Sequence, residues 1–123
     1  MAISSKSKYY IVWKSFLLGR YTLCVSNEII EEYLEVIGRN LNASMAINIV
    51  ITILTRKNVK RVDPHFRFNL IEADKDDNKF VDCAIASNAR FIVTEDHHFG
   101  ILRQIPFPKI LVININEFVS ILE

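Results

Sequence analysis

The chain has 123 residues, half of them apolar and 24% charged, with a formal net charge of +1. That balance excludes an intrinsically disordered chain, and the length is that of a single domain, 1–123. It also excludes a protein that coats phosphates with excess Lys and Arg, so any role on nucleic acid has to be local and chemical.

Along 8–20, Tyr9, Trp13 and Phe16 recur at helical spacing with Val12 and Leu17, and Gly19 supplies a stop. Residues 21–25 are short, apolar and rich in strand formers, which predicts a buried strand; Ser26 and Asn27 end it and can cap the next helix. Over 28–37 the apolar side chains Ile29, Ile30, Tyr33, Leu34 and Ile37 form one stripe, with Gly38 as its expected end. The span 42–56 places Met45, Ile49 and Ile53 on one line with Ala46, Val50 and Leu54 beside it, a mostly buried helix. A short strand is expected over 59–62, before the Asp63-Pro64 break, and 68–71 has no clear period. An acidic loop, 74–77, opens into a helix over 78–88 whose inner face is Phe80, Val81, Ala84 and Ile85. Beyond it come a strand at 91–93, a short helix at 98–104, a strand at 110–113 and a closing helix at 117–122. Strands alternating with helices predict an α/β fold with a parallel sheet covered on both faces.

Cys24 and Cys83 both sit in apolar segments and read as small buried hydrophobes of a reducing compartment. The apolar span 43–54, interrupted by Asn48 and Thr52, falls short of the roughly 20 residues a bilayer requires. The opening residues lack the apolar core and cleavage site of a secretory signal. A cytoplasmic protein without a membrane span is the expectation.

Ligands of open parallel sheets bind beyond the carboxyl ends of the strands, and here those positions are acidic. Glu32 lies on the helix after the first strand, Asp77 at a helix start, and Asp96 closes the Thr94-Glu95-Asp96 run that follows the strand at 91–93. Three carboxylates at one edge suit a hard divalent cation that bridges to phosphate and activates water. Each residue also has a plainer reading: Asp77 as a charge favourable to the helix dipole, Glu32 as a solvent-facing side chain, Asp96 as a helix cap. Glu28/Glu32 and Glu31/Glu35 are like-charge pairs four apart with no Lys offsetting them, a strain that a bound cation would relieve. Asp74, Asp76 and Asp82 are expected to solvate the acidic loop and the outer helix face. His97, His98 and His65 do not have the spacing of a zinc site. Nor is there a Gly-rich phosphate loop or a nucleophile motif.

Three stretches resemble a PIN domain, in the branch of toxin components of prokaryotic toxin–antitoxin systems. They are Cys24-Val25-Ser26-Asn27-Glu28-Ile29-Ile30-Glu31-Glu32-Tyr33, then Asp74-Lys75-Asp76-Asp77-Asn78-Lys79-Phe80 continuing through Cys83-Ala84-Ile85-Ala86, and Ala89-Arg90-Phe91-Ile92-Val93-Thr94-Glu95-Asp96; the ending, Ile110 to Phe118, also matches in kind, so that the likeness runs over nearly the whole chain. The resemblance implies a three-layer α/β/α fold and Mg²⁺- or Mn²⁺-dependent endoribonuclease activity on RNA. It also implies a cognate antitoxin as partner, and leans towards a homodimer. Carried over by position, Glu32, Asp77 and Asp96 are the metal-binding catalytic carboxylates and Thr94 a supporting hydroxyl. The departure is at the start: the family opens with a central strand ending in Asp, whereas Met1-Ala2-Ile3-Ser4-Ser5 resembles the stretch just after it. The expectation is therefore an N-terminally truncated PIN-like domain with three of four carboxylates and doubtful activity. The alternative is a non-catalytic PIN-like module that binds an antitoxin or itself.

Overall fold

The computed structural model describes residues 5–106 and 109–123; Met1 to Ser4, part of the stretch likened to the segment after a first strand, lie outside them. Helix α1 (Ser5–Leu17) leads to strand β1 (Leu23–Val25), then α2 (Asn27–Asn40), α3 (Ala43–Leu54) and β2 (Val59–Arg61). A loop over 62–74 ends in a 3-10 turn (Lys75–Asp77) that runs into α4 (Asn78–Ser87), β3 (Ile92–Val93), a longer 3-10 helix (His97–Gln104), β4 (Val112–Ile113) and α5 (Ile115–Leu122).

Local chemistry sets most of these limits. Gly19 takes φ +74, the left-handed conformation that ends α1, whereas Gly38 has no such conformation and α2 runs past it to Asn40. Asn88, at φ 56, performs the left-handed termination for α4. Ser26 Oγ accepts from the N–H of Ile29, and Asn42 Oδ1 from that of Met45, so one of the donors left free by each first turn finds an oxygen. The closing helix starts at Ile115, earlier than the apolar pattern predicts, because Asn114 and Glu117 form a reciprocal capping box.

The mostly buried helix expected over 42–56 is a half-buried one. Ala46, Val50 and Ile53 are buried, but Met45, Ile47, Ile51 and Leu54 are exposed. An uncharged helix reads as core by composition alone, and only its packing on α2 selects the inner stripe.

Among the described residues the strands form two separate parallel pairs, β1 with β2 and β3 with β4, where one continuous sheet was expected. Leu23 faces Val59 in the first pair and Ile92 faces Val112 in the second. Leu23 N–H donates to Asn58 and Val25 C=O accepts from Val62, so the backbone groups of Cys24 point to the edge away from β2. By the same alternation those of Val93 point away from β4, since Ile92 and Thr94 donate to Leu111 and Ile113. Helix α4 packs against both β1 and β3. Phe80 belongs to both apolar clusters, one around Val25, Ile29 and Cys83 and the other around Ile71, Val81 and Leu102. Phe118 of α5 also spans the two pairs: its ring lies 5.0 Å from that of Tyr21, ahead of β1, and 5.8 Å from that of Phe91, ahead of β3.

Candidate metal centre

The backbone just after β3 is organised by its own side chains. Thr94 Oγ1 accepts from the N–H of Asp96 at 3.0 Å, and Asp96 Oδ1 accepts from the N–H of His98 at 2.9 Å, capping the 3-10 helix. Glu95 accepts from the N–H of Ile115 and so ties the strand end to α5. Asp96 does cap a helix, as its plainer reading has it, and its carboxylate also faces a second one.

That second carboxylate is Asp77, the last residue before α4, whose side chain makes no capping bond. Its place is fixed by Asn78, which donates from Nδ2 to the carbonyl of Ile71 and accepts at Oδ1 from the N–H of Ile71, both at 2.9 Å. His98 Nδ1 lies 3.3 Å from Asp96 Oδ1 and 3.6 Å from Asp77 Oδ2. Among the described residues neither Asp77 Oδ2 nor His98 Nδ1 has a hydrogen-bond partner, although both atoms are buried. Burial, then the charges of Asp74 and Asp96, push the Asp77 carboxyl above its ordinary range. Asp96 is held below its ordinary range, chiefly by the N–H of His98.

Asp74 caps the 3-10 turn by accepting from the N–H of Asp76. One carboxylate oxygen of Asp74, one of Asp77 and a ring nitrogen of His98 all lie within 4.8 Å of one another, and Asp96, His97 and His98 form a second such set. Two buried polar atoms without partners among the described residues, beside further oxygens, are a set that fits a divalent cation.

Glu32 is placed differently. Its Oε1 accepts from Lys79 Nζ at 2.8 Å, and this hydrogen bond raises the Lys79 ammonium above its ordinary range. Lys79 is two residues beyond Asp77, so Glu32 approaches the same helix start without joining either three-residue set. The like-charge strain expected on α2 is met by the chain's own cations: Glu28 pairs with Arg67, Glu32 with Lys79, and Glu35 with Arg39 at 3.9 Å.

A model of the PIN domain family matches residues 1–98 of the chain. This chain belongs to the PIN domain family. The matched span holds Glu32, Asp77, Thr94, Asp96 and His98 and stops just after the 3-10 helix begins. PIN domains are in general nuclease-like and typically use divalent metals, and the Asp–His cluster of this one could hold such an ion. Comparison with curated proteins and with solved structures gives no match. No helix among the described residues is long and apolar enough to cross a membrane.

Two acidic residues of this PIN domain depart from their expected solvating role. Asp74 joins the cluster around Asp77, and Asp82 is 2% exposed. Asp82 accepts from the N–H of Phe68 at 3.1 Å and lies 4.0 Å from Arg67, because the 62–74 loop folds over this face of α4. Burial raises its carboxyl above the ordinary range, only partly opposed by the Phe68 N–H and Arg67. Asp82→Ala should cost about 1.5–3 kcal/mol, the worth of a hydrogen bond to a charged group. Asp82→Asn keeps an acceptor and removes the charge. A raised folded value gives stability present below the unfolded value and lost as pH rises through the folded one. Urea melts should therefore show Asp82→Asn gaining on the parent between about pH 4 and pH 7; a gain that shrinks with pH would refute this account.

Proposed function

We propose that this PIN domain is a divalent-metal-dependent endoribonuclease, of the toxin kind restrained by a cognate antitoxin. What supports this most is the meeting of Asp77 and Asp96, nineteen positions apart, around buried polar atoms that no group among the described residues satisfies. Asp77 and Asp96 hold the ion, Glu32 is the third carboxylate, and Thr94 keeps Asp96 in place through its N–H. Mg²⁺ or Mn²⁺ bound there supplies a water of lowered pKa and neutralises charge that develops on phosphate oxygens. The chain's own part is positional: the Asn78 clamp and the Asp96 cap hold two carboxylates before any ion arrives, and Lys79 holds Glu32 back until a cation or phosphate competes for one of them.

The free edges of β1 and β3 support the fold half of the same reading. Among the described residues, Cys24 and Val93 have backbone groups open to a further parallel strand, and such a strand ending in Asp would complete a three-layer α/β/α fold with a fourth carboxylate. The Lys79–Glu32 pair favours the second reading, a non-catalytic module that binds an antitoxin or itself. The exposed, uncharged face of α3, with Met45, Ile47 and Ile51, offers that module or a toxin a surface for a homodimer in the cytoplasm.

Incubation of the chain with single-stranded RNA and either Mn²⁺ or Mg²⁺ should give slow cleavage that chelation stops. Asp96→Asn should lower it at least about 100-fold, since misplacing even an outer partner of a metal costs 10- to 100-fold. Cleavage unaffected by EDTA or by Asp96→Asn would refute the reading, and none at all with bound metal would favour the module.

A further inference from the structure

His98 is not among the carboxylates that a metal-dependent PIN nuclease needs, yet it is the residue that touches both of those brought together here. Its backbone N–H is fixed on Asp96 Oδ1, which carries the ring to the same carboxylate. Nδ1 then stands 3.3 Å from Asp96 Oδ1 and 3.6 Å from Asp77 Oδ2. Neither approach has hydrogen-bond geometry, because Nδ1 and Asp77 Oδ2 are both buried and unpartnered among the described residues. Ligand atoms about 2.1 Å from a shared ion are separated by about 3.0 Å when adjacent in an octahedron and about 3.4 Å in a tetrahedron. Distances of 3.3 and 3.6 Å are close to those edges, and one oxygen of Asp74 falls within 4.8 Å of a carboxylate oxygen of Asp77 and a ring nitrogen of His98.

We infer that His98 Nδ1 is a direct ligand of the divalent ion held by Asp77 and Asp96, and that it biases the centre towards Mn²⁺ and Co²⁺ over Mg²⁺. The inference rests on the metal-binding reading of that site. Imidazole nitrogen suits transition ions, whereas Mg²⁺ takes oxygen ligands and keeps its waters. Losing this nitrogen therefore weakens transition-ion binding and leaves Mg²⁺ nearly untouched. His97, whose ring is 4.4 Å from that of His98, is the alternative donor.

The test is pulsed electron paramagnetic resonance of the full chain loaded with Mn²⁺, which detects nitrogen-14 bonded to the ion without any turnover. The parent should show one directly bound imidazole, kept in His97→Ala and lost in both His98→Ala and His98→Gln. Titration calorimetry should show Mn²⁺ affinity falling about 10-fold or more in the His98 variants, against less than about 2-fold for Mg²⁺. Bound Mn²⁺ without nitrogen coupling in the parent would overturn the inference and leave a carboxylate-only centre standing. Coupling that survives His98→Ala and vanishes in His97→Ala would assign the nitrogen to His97 and overturn it as well. No Mn²⁺ binding by the parent would sink this inference and the metal-binding reading together. The parent spectrum decides even if a His98 variant fails to fold.

Discussion

Asn78→Ala should lower the free energy of unfolding by about 3 kcal/mol. Its side-chain amide is buried and satisfies both backbone groups of Ile71, itself 1% exposed in the cluster with Val81, Phe99 and Leu102. Alanine would orphan a buried N–H and a buried C=O together, and each costs about 1–3 kcal/mol. Asn78→Asp keeps the acceptor, loses the donor and adds a buried charge, so it should do no better. Urea melts would read the loss from the shift in midpoint. A cost below about 1 kcal/mol would mean that the 62–74 loop is anchored by something other than this amide. Because Asp77 is the preceding residue, metal affinity should fall with stability in the same variant.

Asp77→Asn should separate those two properties. Mn²⁺ affinity measured by calorimetry should fall by more than about 100-fold, since a ligand is lost and not merely an outer partner. The metal-free variant should nevertheless melt at a higher temperature than the parent near neutral pH. Asp77 has an unpartnered buried oxygen, and its carboxyl is raised above 3.8 by burial and by the charges of Asp74 and Asp96. A raised folded value means stability held below the unfolded value and surrendered as pH climbs through the folded one. An amide surrenders nothing, so the advantage should be absent near pH 4 and grow towards pH 7 in EDTA. A variant less stable than the parent at pH 7 would show that Asp77 is a structural charge, not one kept for a ligand.

The parts of the molecule legible in the sequence are those governed by neighbours within a few positions. The stripe of α2, the inner face of α4 and the acidic residues at 77 and 96 emerge from helical spacing and from the polar residues that end an apolar run. Asp82 was unreadable because a residue on the outer face of α4 becomes interior only when the loop carrying Phe68 closes over it, fourteen positions away. The Lys79–Glu32 pair joins residues forty-seven apart, and no periodicity encodes that meeting. His98 carried a weak local signal, a capping Asp two positions earlier, which fixes a backbone N–H but not where the ring points. The strands were found and their direction agreed, yet two-residue segments such as β3 hold too little pattern to show that the sheet is split.

Phe118 sets a boundary that the family match alone does not draw. The family model matches residues 1–98, whereas the ring that bridges Tyr21 and Phe91, the strand that pairs with β3, and Leu102 and Ile110 of the core all come later. Excising the matched stretch for transplantation into another protein would strip β3 of its hydrogen-bonding neighbour and leave aromatic faces on both strand pairs open to water. The portable unit is therefore longer than the matched span. Variation at Leu102, Ile110, Val112 and Phe118 is constrained by what these side chains cover.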